Sequence, residues 1–377
     1  MHIEQRIWNQ VGGWSRAEEQ PLAKVNLVMV FGSTSALLQL EPLAKLRALY
    51  PGARLVGCST AGEICGTRVL DDSIVATAVA FEGTQIRCVQ TSLGGRSLSR
   101  EAGARLALQL PPEELVHVFV LSDGLAVNGS ELVKGLVGGL PAGVGLTGGL
   151  SGDGARFERT LVCLDGKPLE GEVIALGLYS KRLKVGCGSM GGWDPFGPER
   201  LVTRSAANVL HALDGESALG LYKQYLGDHA SGLPGSALLF PLAVRIDGAP
   251  AVVRTVLSID EAAQTMTFAG DVPEGAHARL MKANFDRLID GANSAARTSF
   301  VGFGVESPEL AILISCVGRK LVLKQRIEEE VESVREVLGP STAMTGFYSY
   351  GEISPFNADA RCELHNQTMT ITTFSER

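Results

Sequence analysis

The chain has 377 residues, 45% of them hydrophobic and 20% charged, with a formal net charge of −7. That composition describes a folded protein long enough for two cores and excludes the disordered and fibrous classes. The acidic balance offers no basic surface for nucleic acid or an anionic membrane, and no run of about 20 apolar residues is present to span a bilayer.

The opening MHIEQRIWNQ carries charges and no apolar run, so no secretory leader is expected and the chain is read as cytoplasmic. Leu27 to Phe31 is the first strand candidate and opens into Gly-Ser-Thr-Ser. Ala36 to Tyr50 reads as a helix and Arg54 to Gly57 as a second strand. The turn GCSTAGEI, Gly57 to Ile64, comes next, then the β-branched run Ser73 to Phe81. Val116 to Leu121 opens into Ser-Asp-Gly, a helix is expected over Ser130 to Leu140, and the chain from Val144 opens into TGGLSGDG, Thr147 to Gly154. Strands follow at Thr160 to Leu164 and Val173 to Tyr179.

The turn-rich segment Gly191 to Arg200 marks a boundary region, and the chain is divided into domains over residues 1–205 and 206–377. Beyond it come a short strand (Leu201 to Thr203), a helix (Ala218 to Leu226) and three strands, Ala237 to Val244, Val252 to Ile259 and Thr265 to Ala269. Ala276 to Ala296 is amphipathic and reads as one long helix despite Gly291. Leu310 to Cys316 is a strand, Lys324 to Val337 a charged helix, and Gly346 to Ile353 reads GFYSYGEI. Gln367 to Phe374 is the last strand.

GCSTAGEI and GFYSYGEI share glycines five apart followed at once by Glu-Ile, and each follows an apolar run. Glycines in that setting mark a tight turn lying close to other backbone. The match implies a duplicated unit, with a third unit around TGGLSGDG. The expected fold class is α/β, two domains with mixed sheets flanked by helices, built from repeated strand–helix–strand units. One continuous sheet and a pair of sheets both satisfy the pattern.

In an α/β sheet ligands sit beyond the carboxyl ends of strands, which places the candidate site at the turns. Ser59 and Thr60 are candidates to hold a carboxylate, and Glu63, Asp153 and Glu352 an ammonium. The alternative for each is turn formation and helix capping. Seven cysteines without a CxxC pair argue against a disulfide framework, a short-spaced zinc site and covalent c-type haem. GVGLTG, Gly143 to Gly148, does not lead into a helix, and Glu63 follows the Gly57–Gly62 turn where a phosphate loop needs Lys. GCSTA is one residue from a nucleophile elbow, which keeps a hydrolase at Cys58 or Ser59 as an alternative; the chain is expected not to be an enzyme.

GCSTAGEI, TGGLSGDG with Phe157 behind it, GFYSYGEISP and ELHNQT resemble the signature segments of the FIST family of sensory modules, over roughly residues 10 to 375. The resemblance implies ligand sensing in place of catalysis, an N-terminal and a C-terminal FIST domain, and, with no attached output segment, a stand-alone form. Stand-alone bacterial members include haem-binding nitric-oxide sensors that regulate a partner histidine kinase; others are thought to bind amino-acid-like metabolites. The resemblance therefore implies haem as a cofactor and a histidine kinase or other signalling protein as a partner. An axial ligand needs an apolar pocket and a free imidazole. His229, near Tyr222, Tyr225 and Phe240, and His365, which opens HNQT, are the candidate iron ligands, with Cys58 a further possibility. Tyr348, Tyr350 and Asn366 complete the ligand-binding set.

Overall fold

The computed structural model describes residues 1–246, 251–301, 307–355 and 361–376. Three copies of one unit carry the architecture. Each begins with two parallel strands joined by a helical crossover: Leu27–Gly32 with Arg54–Ser59, Leu115–Ser122 with Gly145–Leu150, and Leu310–Cys316 with Ala343–Ser349. Two antiparallel strands extend each sheet on the side of the first strand. They are Ser73–Ala80 and His2–Asn9, then Glu172–Tyr179 and Gln85–Ser92, then Met369–Ser375 and Lys184–Met190.

The remaining edge of each sheet is closed by a hairpin from another unit. After its second parallel strand, the first unit sends Glu63–Cys65 and Arg68–Leu70 to the third unit's sheet. The second unit sends Val162–Leu164 and Lys167–Leu169 to the first. The third sends Gly351–Ser354 and Glu363–His365 to the second. The exchange is cyclic, so each of these three sheets is completed by a hairpin from another unit.

Strand alternation explains the layers. Leu27, Met29 and Phe31, with Phe119 and Leu121 and with Leu310, Ile312 and Ile314, share one central core between the three sheets. The intervening Val28 and Val30, Val118 and Val120, and Ala311 and Leu313 face outward into cores covered by helices. Glu41–Leu49 covers the first sheet, Ser99–Leu108 and Gly129–Gly139 the second, and Phe285–Phe300 and Ile327–Leu338 the third. A fourth, eight-stranded sheet runs from Asp194–Ala206 to His277–Lys282 and packs its own core under the helix Ala218–Leu226. Among the described residues no helix is long and apolar enough to cross a membrane.

Four sheets thus replace the one or two expected, and several elements differ from their sequence reading. The helix expected over Ala36 to Tyr50 is two, Thr34–Leu37 and Glu41–Leu49, because Leu40 has φ +56° and Pro42 starts the second. Ala276 to Ala296 is a strand, His277–Lys282, followed by a helix, Phe285–Phe300. Ala278 and Leu280 are buried with the exposed Arg279 between them, the alternation of a strand, and the Asn284 side chain then accepts from Arg287 N to start the helix. Ala237–Leu239 closes a 3-10 turn and the strand begins only at Leu242. Val252 to Ile259 divides at Thr255 because its halves pair with different strands, Leu242–Arg245 and Thr265–Phe268. The charged helix begins at Ile327, after a separate helix, Val317–Leu323.

The second parallel strand of each unit carries a glycine opposite the same place in the first. Gly57 faces Val30, Gly148 faces Val120 and Gly346 faces Leu313. A Cβ at these positions would lie 1.8, 1.9 and 1.8 Å from the carbonyl oxygen of that partner. Backbone cannot yield as a side-chain tip can, so Gly346→Ala should destabilise the protein by about 3 kcal/mol or more. Thermal unfolding checks this, with Gly138→Ala, where the Cβ meets nothing within 4 Å, as the tolerated control.

Candidate functional site

The strand exchange brings the three signature turns together. Ala61 N donates to Tyr348 O at 2.8 Å, Gly152 N to Ser59 O at 2.9 Å, and Tyr350 N to Leu150 O at 3.2 Å. These bonds form a closed ring in which each turn holds the next. The Ser59 hydroxyl staples it further, donating to Gly152 O at 2.7 Å and accepting from Leu161 N at 2.8 Å.

The candidate carboxylates serve this ring. Glu63 accepts from Thr60 Oγ1 and Ser73 Oγ, and Glu352 from Ser349 Oγ, Thr368 N and Thr368 Oγ1, an equivalent arrangement in the third unit. Asp153 accepts from the N–H groups of Phe157, Glu158 and Arg159 and from Tyr350 Oη. All three are fully buried. Burial pushes Glu63 up to about 7, with Asp71 adding to the rise and the Ser73 and Thr60 hydroxyls opposing it. Burial likewise pushes Glu352 up to about 8. Burial also acts to raise Asp153, but the Tyr350 hydroxyl and three backbone donors outweigh it and hold the group below its usual range.

Tyr348 donates to Glu330 at 2.8 Å, and Glu330 is ion-paired with the fully buried Arg319. Tyr350 stacks on Phe157 with centroids 4.4 Å apart. Asn366 is buried and its amide nitrogen reaches Tyr350 O at 3.4 Å. The histidines lie apart from one another in the fold. His365 is buried on the hairpin Glu363–His365, donates from Nε2 to Ser354 O at 2.7 Å, and is lowered by burial to about 4. His229 is exposed in a 3-10 turn of the C-terminal domain, its ring 5.3 Å from Phe240. As placed, neither offers iron a free imidazole in an apolar pocket, and no cluster of metal-binding side chains occurs among the described residues. Cys58 is fully buried and its thiol is pushed well up by burial.

With the centre packed, open space lies at the seam between the second unit and the eight-stranded sheet. Asn128 Nδ2 and Lys134 Nζ donate across that seam to Asp271, at 3.0 and 3.1 Å. A cavity of about 170 Å³ lies over the Phe157–Tyr350 stack, with Leu150, Asn208 and Phe268 in its wall. A larger cleft of about 490 Å³ separates the helix Gly129–Gly139 from Leu242–Arg245, Val252–Arg254 and the Glu363–His365 hairpin. Of the candidates read from the sequence, Tyr350 alone lines either space. The cleft residues Lys134, Arg254 and Asp271 were not among those candidates. Arg254 carried a usable signal, a lone charge inside the apolar run AVVRTVLSI.

Two family models match the sequence, the FIST N domain over residues 26–216 and the FIST C domain over residues 218–355. No curated protein matches. A solved structure described as "Cyanuric acid hydrolase: evolutionary innovation by structural concatenation" aligns over 99% of both chains at 8% identity, with a TM-score of 0.32, too low to carry an argument.

The raised carboxyls predict a pH dependence of stability. A carboxyl whose folded pKa lies above its unfolded value favours the folded state in its protonated form. That contribution is complete below the usual carboxylate range and is lost as pH rises through about 7 for Glu63 and about 8 for Glu352. The melting temperature should therefore fall between pH 5.5 and pH 9, and Glu63→Gln and Glu352→Gln should each remove part of the fall. Equal slopes in wild type and both variants would contradict this assignment.

Proposed function

The chain belongs to the FIST family, whose domains are small-molecule sensors, and from that premise we propose that it senses a metabolite in the cleft between its second unit and the eight-stranded sheet. The observation that carries this reading is the 490 Å³ space bounded by elements from both family-model halves. Its volume falls in the usual range for metabolite sites, and domain seams are where such sites concentrate. The central turns, by contrast, spend their polar groups on one another.

A ligand touching both walls stabilises the seam arrangement that fits it, which is the differential affinity a switch needs. Few hydrogen bonds oppose a shift there, among them those of Asn128, Lys134 and Ser130 with Asp271 and of Arg254 Nη1 with Leu364 O at 2.9 Å. The altered outer surface would be read by a histidine kinase or another signalling protein. No catalytic step is assigned to Cys58 or Ser59, because Ser59 Oγ is already bonded as both donor and acceptor.

A haem-bound, nitric-oxide-responsive form is the second reading, and it rests on the family resemblance alone. It would place the iron at His365, whose Nε2 donates to Ser354 O, or at the exposed His229 beside Phe240. Visible spectra of the protein with haemin, then reduced and given nitric oxide, test it. A sharp band lost in His365→Ala or His229→Ala supports that form, and a broad band unchanged in both removes it.

The metabolite reading predicts that a true ligand at 100 times its Kd stabilises the fold by about 2.7 kcal/mol, a shift of a few degrees. Hydrogen exchange should slow in Gly129–Gly139 and Leu242–Arg245 together, since both line the cleft. A metabolite panel that produces neither effect would leave a structural scaffold as the better description.

A further inference from the structure

Three arginines among the described residues are almost fully buried, and their partners differ. Arg6 pairs with Glu4 and Arg319 with Glu330, each pair beneath the surface. Arg254 is 6% exposed, yet no carboxylate lies within ion-pair distance of it among the described residues. Its Nε donates to Asp271 O at 3.1 Å and its Nη1 to Leu364 O at 2.9 Å, both backbone carbonyls. Nη2 makes no hydrogen bond among the described residues, and the side chain lines the larger cleft. Burial pulls Arg254 down to about 10, against the opposing pull of the more distant Asp271 and Glu363. A buried cation without a counter-ion is costly unless an anion arrives.

The rest of the cleft defines that anion. The lining carries four cationic side chains, Arg100, Lys134, Arg254 and Arg361, against two carboxylates, Asp271 and Glu363. Lys134 is already held by Glu131 and Asp271, and Arg100 lies 3.9 Å from Glu131, outside the lining. Asp271 is in turn occupied by Asn128 and Lys134. Arg254 Nη2 and the exposed Arg361 therefore remain for an acceptor, while Glu363, lining the same space, disfavours a second negative charge. The remaining wall is aliphatic: Val133, Val137, Val244, Ile246, Val252 and Leu364.

We propose that this cleft binds a monocarboxylate with an apolar body and no ammonium group, its carboxylate taken by Nη2 of Arg254 and its body lying on the aliphatic wall. A guanidinium N–H donates a short, charge-assisted hydrogen bond to a carboxylate. The lining carries four cations against two carboxylates, and that net positive charge disfavours a zwitterion's ammonium. The inference rests on the sensing reading only for the site's purpose; the binding chemistry stands on the residues themselves.

The test is calorimetric titration of the full chain with octanoate, octanamide, octylamine, norleucine and inorganic phosphate. Octanoate is expected to bind at least tenfold more tightly than each of the others. Arg254→Met should weaken octanoate at least tenfold. Val137→Trp should do the same by filling the cleft from an exposed position, and it leaves every Arg254 bond in place should Arg254→Met fail to fold. Octanamide, norleucine or phosphate equalling octanoate would overturn the proposal, as would octanoate binding unchanged in Val137→Trp. Octanoate binding without slower exchange across the seam sustains the site and defeats the sensing reading. Stabilisation by some other metabolite, with no carboxylate binding, does the reverse.

Discussion

The ring of three backbone hydrogen bonds at the centre is the constraint on which the remaining structure depends. It forms only if each signature turn reaches its neighbour, and that fixes where each outgoing hairpin must go. The glycines at 57, 148 and 346 let the second strand of every unit lie against the carbonyl of the first, with no room for a Cβ. The hairpins then leave in a cyclic order, and each sheet closes on a strand from another unit. Edges that would otherwise stay open are thereby paired.

The same closure accounts for the chemistry of the centre. Turn carboxylates buried among backbone and hydroxyl donors cost desolvation, which shows in the raised Glu63 and Glu352. The hydrogen bonds they accept offset that cost and give each turn one geometry. Tyr348 leans on the buried Arg319–Glu330 pair in the same way. A centre whose turn carboxylates and hydroxyls answer one another is suited to holding three sheets, while beside it Asn366 Oδ1 and Gln367 Oε1 make no hydrogen bond among the described residues.

Function therefore moves outward to where the packing is incomplete. The eight-stranded sheet meets the second unit through a handful of polar contacts and leaves two spaces beside them. The smaller space sits on the Phe157–Tyr350 stack, so the rigid ring forms part of its floor. The larger holds Arg254, the one buried arginine among the described residues that is not paired with a carboxylate of those residues. A seam of this kind can respond to occupancy while the ring beneath it stays unchanged.

The sequence by itself determined the family, the α/β class, the two parallel strands of each unit with the antiparallel strand beside them, and the importance of the signature turns; His2–Asn9, Gln85–Ser92 and Lys184–Met190 went unread. Those features rest on local signals: apolar runs, period-two alternation, and glycines at fixed spacing before Glu-Ile. It misjudged Ala276 to Ala296, where six residues of strand precede the helix, because alternation and helical amphipathicity overlap over so short a stretch. It also assigned the turn carboxylates to a ligand when their partners, such as Ser73 and Thr368, lie beyond the turn motif. Only the tertiary structure decided the cyclic exchange of hairpins, the satisfied centre and the seam cleft. Each of these is a pairing between residues far apart in the chain: Asn128 with Asp271, Arg254 with Leu364, Ala61 with Tyr348. No local pattern encodes such pairings, because they arise only when distant strands compete for the same buried edge.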